Sequence, residues 1–243
     1  MTTEAVWRES DSELFLRFGR AFTPGWAELR ESFLHVIPAA AEERFCCVDI
    51  GAGSGWLSEA ILHRLPGSQV VALDGSEAML EHAASRLSAF STRFTTVKFD
   101  LENFSWIEHL PARPRCFVSC LVIHHLPDER KRRLFAALYD ALETGGGLLM
   151  ADLVRPLGET ARELYARAWE QSVLQQSRDL FGDARAYEAF VERRWNYYRY
   201  PDPMDQPSTQ PELLCWFAES GFKDVEVLWA YAGHVLIAGF KKT

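Results

Sequence analysis

Short runs of apolar residues alternate along most of the chain with segments in which apolar residues recur every three or four positions. The short runs have the length of buried strands, and the longer segments have the period of amphipathic helices. This alternation is typical of β–α–β units and predicts an α/β fold with a mostly parallel sheet. The predicted strands are Cys46–Ile50, Gln69–Asp74, Phe94–Phe99, Cys116–Val122 and Gly147–Leu153. The predicted helices between them are Gly55–Leu65, Ser76–Ser88 and Asp128–Leu142.

Two regions depart from this alternation and predict additional helices. Residues 10–40 predict one or two helices, interrupted at Pro24-Gly25. Residues 155–207 contain no strand-like run and end in a proline-rich stretch. Four apolar residues of this second region fall on one face of a predicted helix: Tyr187, Phe190, Val191 and Trp195. We interpret residues 155–207 as a helical insertion after the fifth strand that covers the site as a lid, because it is short for an independent core.

The end of the chain predicts one more helix and two strands. Thr209 and Glu212 have the spacing of a capping box, and Gly221 is placed to end the helix. Two β runs follow, Val225–Trp229 and Val235–Phe240, and their short connection predicts an antiparallel pair. The chain, residues 1–243, is therefore predicted to form one domain with a seven-stranded sheet and a helical segment at residues 1–43.

Composition and charge limit the classes of function. The 243 residues are 48% hydrophobic and 25% charged, which is typical of a globular domain. No apolar run approaches the roughly 20 residues that cross a bilayer. The start of the chain, "MTTEAVWRESDSELF", also lacks the layout of a secretion signal. We therefore expect a cytoplasmic protein without a membrane partner.

The cysteines do not indicate a metal site or a disulfide framework. There are five of them, and none forms a C-x-x-C pair. Reduced cysteines packed in strands are the simpler interpretation, and Cys46 and Cys47 lie inside an apolar run. The sequence accordingly predicts no metal ligands.

The net charge of −8 disfavours binding to a polyanion such as nucleic acid. One basic run, Arg130 to Arg133, stands against this trend. It opens an amphipathic helix beside Asp128 and Glu129, so we interpret it as a solvated helix face rather than a nucleic-acid patch.

A glycine-rich turn, "VDIGAGSG" at residues 48–55, joins the first strand to the first helix of the alternating series. Such a turn exposes backbone N–H groups to a ligand. A nicotinamide-binding loop reads G-x-G-x-x-G, whereas here Gly51, Gly53 and Gly55 are spaced G-x-G-x-G. Asp49 precedes the loop, and its carboxylate would repel a pyrophosphate while suiting a cationic amine. The loop therefore predicts a ligand that bears an amine rather than a phosphate.

The motifs taken together resemble those of class I S-adenosylmethionine (SAM) dependent methyltransferases. "VDIGAGSG" resembles the family's first motif, and "VVALDGSEAML" resembles its second-strand motif. "FDLENF" and "LVIHHL" follow in the family's order, and the closing antiparallel strands also match. The resemblance implies a Rossmann-like class I methyltransferase fold. It also implies methyl transfer from SAM to an acceptor, with S-adenosylhomocysteine (SAH) as the product.

The resemblance also assigns candidate cofactor-binding residues. Asp74 would bind the ribose hydroxyls, Met79 would pack near the adenine, and Asp100 with Leu101 would contact the adenine edge. The full set that it implies for SAM is Asp49, Gly51, Ala52, Gly53, Gly55, Asp74, Gly75, Met79, Asp100, Leu101 and Leu121. From the residues alone, Asp74 ends a strand at the edge where open α/β sheets bind ligands, although a helix-capping role also fits.

Candidates for catalysis and for acceptor binding rest on residue type and place in the fold. Methyl transfer needs a base only when the acceptor must lose a proton, and His124 or His125 could supply one. We prefer His124, because the alternation of a strand that continues from Val122 turns neighbouring side chains to opposite faces. The candidate acceptor contacts are Trp169, Tyr198, Arg199 and Tyr231.

Three other interpretations stay open. The helical insertion and the final strands loosely resemble carboxy-SAM synthase, a SAM-converting enzyme. The basic run would suit a methyltransferase of protein or tRNA. A non-catalytic SAM-binding subunit would show the same cofactor motifs. Because the chain is acidic and has an aromatic insertion, we favour a small-molecule acceptor.

Overall fold

The structure, a computed structural model, describes residues 9–242 and contains seven strands and eight α-helices in that range. The strands are β1 (Phe45–Ile50), β2 (Ser68–Asp74), β3 (Phe94–Lys98), β4 (Cys116–Cys120), β5 (Gly147–Leu153), β6 (Lys223–Tyr231) and β7 (His234–Phe240). The helices are α1 (Glu9–Phe22), α2 (Trp26–Val36), α3 (Trp56–Arg64), α4 (Glu77–Arg86), α5 (Asp128–Ala141), α6 (Glu159–Phe181), α7 (Arg185–Glu192) and α8 (Gln210–Glu219). The first eight residues of the stretch "MTTEAVWRESDSELF" lie outside the described residues.

All seven strands form one sheet in the order β3-β2-β1-β4-β5-β7-β6. Strands β1 to β5 pair in parallel, and β7 runs antiparallel to both β5 and β6. The predicted α/β fold and its closing antiparallel strands are therefore confirmed. The capping box at Thr209 and Glu212 is also present at the start of α8.

Helices cover both faces of the sheet, as the buried, apolar strands require. One face packs against α2, α3 and α4 through residues such as Phe33, Leu57 and Ala83. The other face packs against α5 and α8 through Leu134 and Phe217. Polar groups of the sheet can consequently meet a ligand at the ends of the strands rather than on the faces of the sheet.

A third apolar cluster joins α1 to the insertion helices α6 and α7. It contains Phe18, Phe22, Trp169, Val173 and Phe190. We call α1 together with α6 and α7 the cap. The cluster also includes Leu153 at the end of β5 and Ala232 in the β6–β7 turn, so the cap lies over the carboxyl edge of the parallel strands.

Hydrogen bonds from α6 fix the break between α1 and α2. The backbone N–H of Gly25 donates to Oγ of Ser172 at 3.3 Å, and that of Trp26 donates to Oε1 of Gln176 at 3.1 Å. The amide of Gln176 in turn donates to the carbonyl of Thr23 at 2.9 Å. The interruption predicted at Pro24-Gly25 is thus a turn that the insertion holds in place.

Two local predictions were wrong. Strand β4 ends at Cys120 rather than Val122, because Leu121 takes a left-handed backbone conformation with φ of 59°. Helix α7 ends at Glu192, and Arg194 has φ of 55°, so the predicted helical face does not reach Trp195. Val191, predicted on that apolar face, is 46% exposed.

Candidate active site

The carboxyl edge of the parallel strands gathers the polar side chains of the site. Asp49, Asp74 and Asp152 lie at the ends of β1, β2 and β5, and the two histidines follow β4. His234 opens β7, and because β7 is antiparallel to β5 it pairs with Leu153 at the same edge. Open α/β sheets bind their ligands at this edge.

The glycine turn after β1 requires left-handed backbone at each of its glycines. Gly51 has φ of 69°, and Gly53 has φ of 52°. A Cβ atom at Gly51 would lie 2.1 Å from Cγ2 of Val122, whereas a Cβ at Gly53 would meet nothing within 4 Å. Gly51 therefore lets the turn after β4 pack against the glycine turn, and Gly53 faces open space where a ligand can approach its backbone.

Asp74 links the glycine turn to the next β–α turn. Its Oδ2 atom accepts the N–H of Gly53 at 2.8 Å, and its Oδ1 atom accepts the N–H of Ser76 at 2.8 Å. Ser76, rather than Asp74, caps α4, since its Oγ accepts the N–H of Met79 at 3.3 Å. Burial raises the pKa of Asp74, and the backbone N–H groups of Ser76 and Gly53 oppose that shift.

Asp49 is buried under the glycine turn. Its Oδ2 atom accepts a hydrogen bond from the hydroxyl of Ser58, in the first turn of α3, at 2.7 Å. Burial raises the pKa of Asp49 to about 7, which the Ser58 hydrogen bond moderates and the nearby Asp74 carboxylate increases. A buried carboxylate with such a pKa favours a cationic group beside it.

The other predicted cofactor residues lie in the same two turns, in α4, after β3 or after β4. Met79 is buried in α4, and Leu121 forms the left-handed turn after β4. Asp100 is exposed and accepts the N–H of Glu102 at 2.9 Å as a turn residue. The remaining members are Ala52, Gly55, Gly75 and Leu101. Their contacts with a cofactor stay a prediction.

His124 is held by Asp152, a residue that the sequence analysis did not select. The backbone N–H of His124 donates to Oδ2 of Asp152 at 2.8 Å, and its Nδ1 atom pairs with Oδ1 of the same carboxylate. The Nε2 atom of His124 faces Oδ1 of Asp205 at 3.4 Å. Burial alone would lower the pKa of His124, but the Asp152 and Asp205 carboxylates outweigh it and raise the pKa to about 10.

The reason given for preferring His124 over His125 was wrong, although the role itself stays a prediction. Ile123–His125 form a short 3₁₀ turn, so the pair does not continue a strand. His124 is buried and His125 is partly exposed. Nδ1 of His125 lies 3.3 Å from Oδ1 of Asp205 and 3.4 Å from the carbonyl of Met204.

The segment that carries Asp205 crosses the sheet edge from the insertion and is fixed there. The N–H of Gln206 donates to the carbonyl of His124 at 2.7 Å. The buried Nζ of Lys131 bonds Oγ of Ser208 at 2.7 Å and the carbonyl of Gln206. Lys131 therefore departs from the predicted solvated helix face. Among these residues, only Asp152 could have been selected from the sequence, because it is the penultimate residue of a predicted strand, a place similar to that of Asp74.

The structure brings two of the four predicted acceptor contacts together, since the ring centroids of Trp169 and Tyr198 lie 5.9 Å apart. Trp169 is buried in the cap, where its indole N–H donates to the carbonyl of Phe22 at 2.7 Å. The hydroxyl of Tyr198 lies 2.5 Å from the carbonyl of Gly233. Arg199 pairs with Glu163 at 2.5 Å and Glu170 at 3.1 Å. Tyr231 is 43% exposed. Their roles toward an acceptor stay a prediction.

His234 has a polar atom without a partner at the buried edge of the site. Its Nδ1 lies 3.0 Å from the carbonyl of Ala232, and its Nε2 has no hydrogen-bond partner among the described residues. Its ring packs edge-on against that of Trp169, with centroids 4.6 Å apart. Burial lowers the pKa of His234 to about 4, so the ring is neutral and presents an acceptor at Nε2.

Comparison with known proteins gives a family match and a fold match. Residues 47–146 match the family model described as a methyltransferase domain. This span holds the glycine turn, Asp74, Asp100 and both histidines. A carboxy-S-adenosyl-L-methionine synthase from Nautilia profundicola is 20% identical over 194 residues, which are 80% of this chain and 76% of that protein.

Two solved structures share the fold. Human N-acetylserotonin methyltransferase in complex with SAM superposes with a TM-score of 0.61 at 17% identity over 97% of this chain. An O-methyltransferase family 2 protein from Planctomyces limnophilus in complex with apigenin gives 0.63 at 18% identity over 99% of this chain. The chain spans 57% and 64% of the length of these two solved chains.

Proposed function

Because the chain belongs to the family of class I SAM-dependent methyltransferases, as its motifs predict, we propose that it transfers the methyl group of SAM to a small-molecule acceptor. The observation that carries this proposal is the hydrogen bond between Gly53 of the glycine turn and Asp74, under an aromatic cap. The N–H of Gly53 bonds Oδ2 of Asp74, so the turn after β1 and the turn after β2 are held together at the proposed donor site.

The reaction needs alignment more than it needs a strong base. In an in-line displacement the acceptor's lone pair forms the new bond to the methyl carbon, and the S–CH₃ bond breaks. The sulfonium becomes the neutral thioether of SAH, and an acceptor hydroxyl loses its proton to a base or to water. The cap would exclude water from this step and hold the acceptor in line.

The environment of the histidines bears on which of them could accept that proton. His124 has both ring nitrogens beside carboxylates, and its raised pKa keeps it protonated at neutral pH. His124 would therefore hold the turn in place and contribute a positive charge to the site rather than accept a proton. His125, which is partly exposed beside Asp205, is in our proposal the histidine that meets the acceptor.

A small acceptor fits the charges of the surface better than nucleic acid does. In the basic run, Arg132 pairs with Glu219 at 3.1 Å and Arg133 pairs with Glu129 at 3.1 Å. Lys131 is buried, and the chain carries a net charge of −8. Little of the run is thus free to neutralise phosphates.

A cytoplasmic setting also fits, because all five cysteines are free thiols. No helix within residues 9–242 is long and apolar enough to span a membrane.

Carboxy-SAM synthesis is the second candidate, and the specific observation in its favour is the 20% identical relative that covers 80% of this chain. Mass spectrometry of small molecules released from the purified, denatured protein separates the two. SAM or SAH supports methyl transfer, and a panel of phenols and carboxylic acids with SAM should then yield SAH and a methylated product. Carboxy-SAM in the extract would instead favour the synthase. A nicotinamide cofactor would contradict both.

A further inference from the structure

We propose that His124, His125 and Asp205 form a binding site for one divalent transition-metal ion. Nε2 or Nδ1 of each imidazole and one carboxylate oxygen lie within 4.8 Å of one another. The side chains of the three residues are 7%, 27% and 22% exposed, so the cluster is sheltered but open on one side. The sequence analysis predicted no metal ligands, because the histidines and Asp205 lie far apart in the chain.

The distances fit a shared ion better than they fit hydrogen bonds. Oδ1 of Asp205 lies 3.4 Å from Nε2 of His124 and 3.3 Å from Nδ1 of His125. Charge-assisted N–H···O⁻ hydrogen bonds close to about 2.7–2.9 Å. Ligands bonded to a tetrahedral ion at about 2.0–2.1 Å stand roughly 3.3–3.4 Å apart. Two of the three separations between ligand atoms therefore have the length that one tetrahedral ion would set, and the two nitrogens lie within 4.8 Å of each other.

The surroundings hold the proposed ligands in position. Asp152 pairs with Nδ1 of His124 and so turns Nε2 toward Asp205, and an ion that binds there would displace the Nε2 proton to solvent. A carboxylate behind a metal-binding histidine fixes the tautomer and the orientation of the ring. On the other side, the bond from the N–H of Gln206 to the carbonyl of His124 and the bonds of Lys131 hold the Asp205 segment against the histidine turn.

The ligand set points to the chemical class of the ion. Two imidazoles and one carboxylate suit zinc, iron, cobalt or nickel, whereas magnesium and calcium prefer oxygen ligands alone. Three protein ligands leave at least one coordination position for water or for a substrate oxygen. If the proposed methyl transfer holds, an ion here would bind an acceptor hydroxyl and ease its loss of a proton, and His125 would then act through the ion rather than meet the acceptor itself.

Metal binding can be tested without SAM or an acceptor. The protein is stripped with a chelator and titrated calorimetrically with Co²⁺ and with Zn²⁺, and the visible spectrum of the Co²⁺ form is recorded. We expect one equivalent to bind, with affinity lowered about tenfold or more in His125→Ala and in Asp205→Asn. Both positions are partly exposed, so these variants should fold, and thermal melts verify that.

Two matched variants serve as controls. His82→Ala removes an exposed histidine of α4, and Asp202→Asn changes an exposed carboxylate three residues before Asp205 in the same segment. Both should bind the ion as the wild type does. Binding of less than one equivalent by the wild type, or equal binding by all four variants, would overturn the proposal. A separate SAH titration of the stripped protein reports on the cofactor site, so the two failures are distinguishable.

Discussion

The backbone N–H of Gly53 donates a hydrogen bond of 2.8 Å to Oδ2 of Asp74. The bond ties the turn after β1 to the turn after β2, and the N–H of Ser76 binds the other oxygen of the same carboxylate at 2.8 Å. An ionised carboxylate accepts about four hydrogen bonds, so lone pairs remain for two ribose hydroxyls. Asp74 can thus shape the glycine turn and bind a ligand at once.

Replacing Asp74 should therefore weaken the cofactor site in two ways. Asp74→Ala removes both the proposed ribose contacts and the bond that holds Gly53. We expect at least about a tenfold loss of SAH affinity, which is roughly 1.4 kcal/mol. Calorimetric titration measures it, with Asp140→Ala at an exposed position of α5 as the control. Equal affinity in the wild type and Asp74→Ala would remove Asp74 from the ribose.

The two glycines of the turn should respond differently to a methyl group. In Gly51→Ala the new Cβ meets Val122 at 2.1 Å, and φ is positive at 69°. Left-handed backbone costs a non-glycine residue about 1–2 kcal/mol, and overpacking adds about 1–3 kcal/mol. In Gly53→Ala only the backbone cost applies. Thermal melts should show the larger loss of stability for Gly51→Ala, and the reverse order would contradict the packing of Val122 on Gly51.

The stability of the ligand-free protein should depend on pH because of Asp49. Its pKa is raised to about 7 from 3.8, so the folded state binds the proton more tightly than the unfolded state does. The raised pKa adds to the free energy of unfolding, by about 1.4 kcal/mol for each pKa unit. This contribution is fully present below pH 4 and is lost as the pH rises through 7. Asp49→Asn should accordingly melt several degrees above the wild type at pH 8, by about 2–4 °C per kcal/mol. The advantage should shrink toward pH 4; a difference that is constant with pH would mean that Asp49 is not the group responsible.

Lys131 should stabilise the segment that carries Asp205, whereas its neighbours in the basic run should not. Lys131→Met leaves the Gln206 carbonyl and Ser208 without their buried donor, at a cost of about 1–3 kcal/mol. Arg133→Met breaks only an exposed pair with Glu129, which is worth about 0.3–0.5 kcal/mol. Hydrogen exchange should quicken across residues 202–208 in Lys131→Met alone. Equal exchange in both variants would show that the lysine does not fix this segment.

The parts of the fold that depend on local pattern could be predicted from the sequence. Strand β5, the capping box of α8 and the break at Pro24-Gly25 each follow from residues close together in the chain. The fold is likewise confirmed, and residues 47–146 match a methyltransferase domain, because the motifs that indicate them are short and contiguous. The local sequence left a helix-capping role open for Asp74, and the structure gives that role to Ser76.

The rest depended on contacts or backbone angles that no local pattern shows. The end of β4 was placed too late because "LVI" is apolar throughout, and only the φ of 59° at Leu121 reveals the turn. Asp152 binds His124 across 28 positions of the chain, so neither residue alone indicates the pair. Asp205 is one of two acids in a proline-rich segment, and it acquires a role only where that segment meets the histidines.

Titration of SAH into the purified wild-type protein tests the central claim most directly. The claim is that the glycine turn and Asp74 form a site for SAM, so we predict one SAH bound per chain, with NAD unable to displace it. The heat of binding gives the stoichiometry without knowledge of the acceptor. A folded protein that binds NAD in place of SAH, or that shows no saturable binding of SAH, would contradict the account.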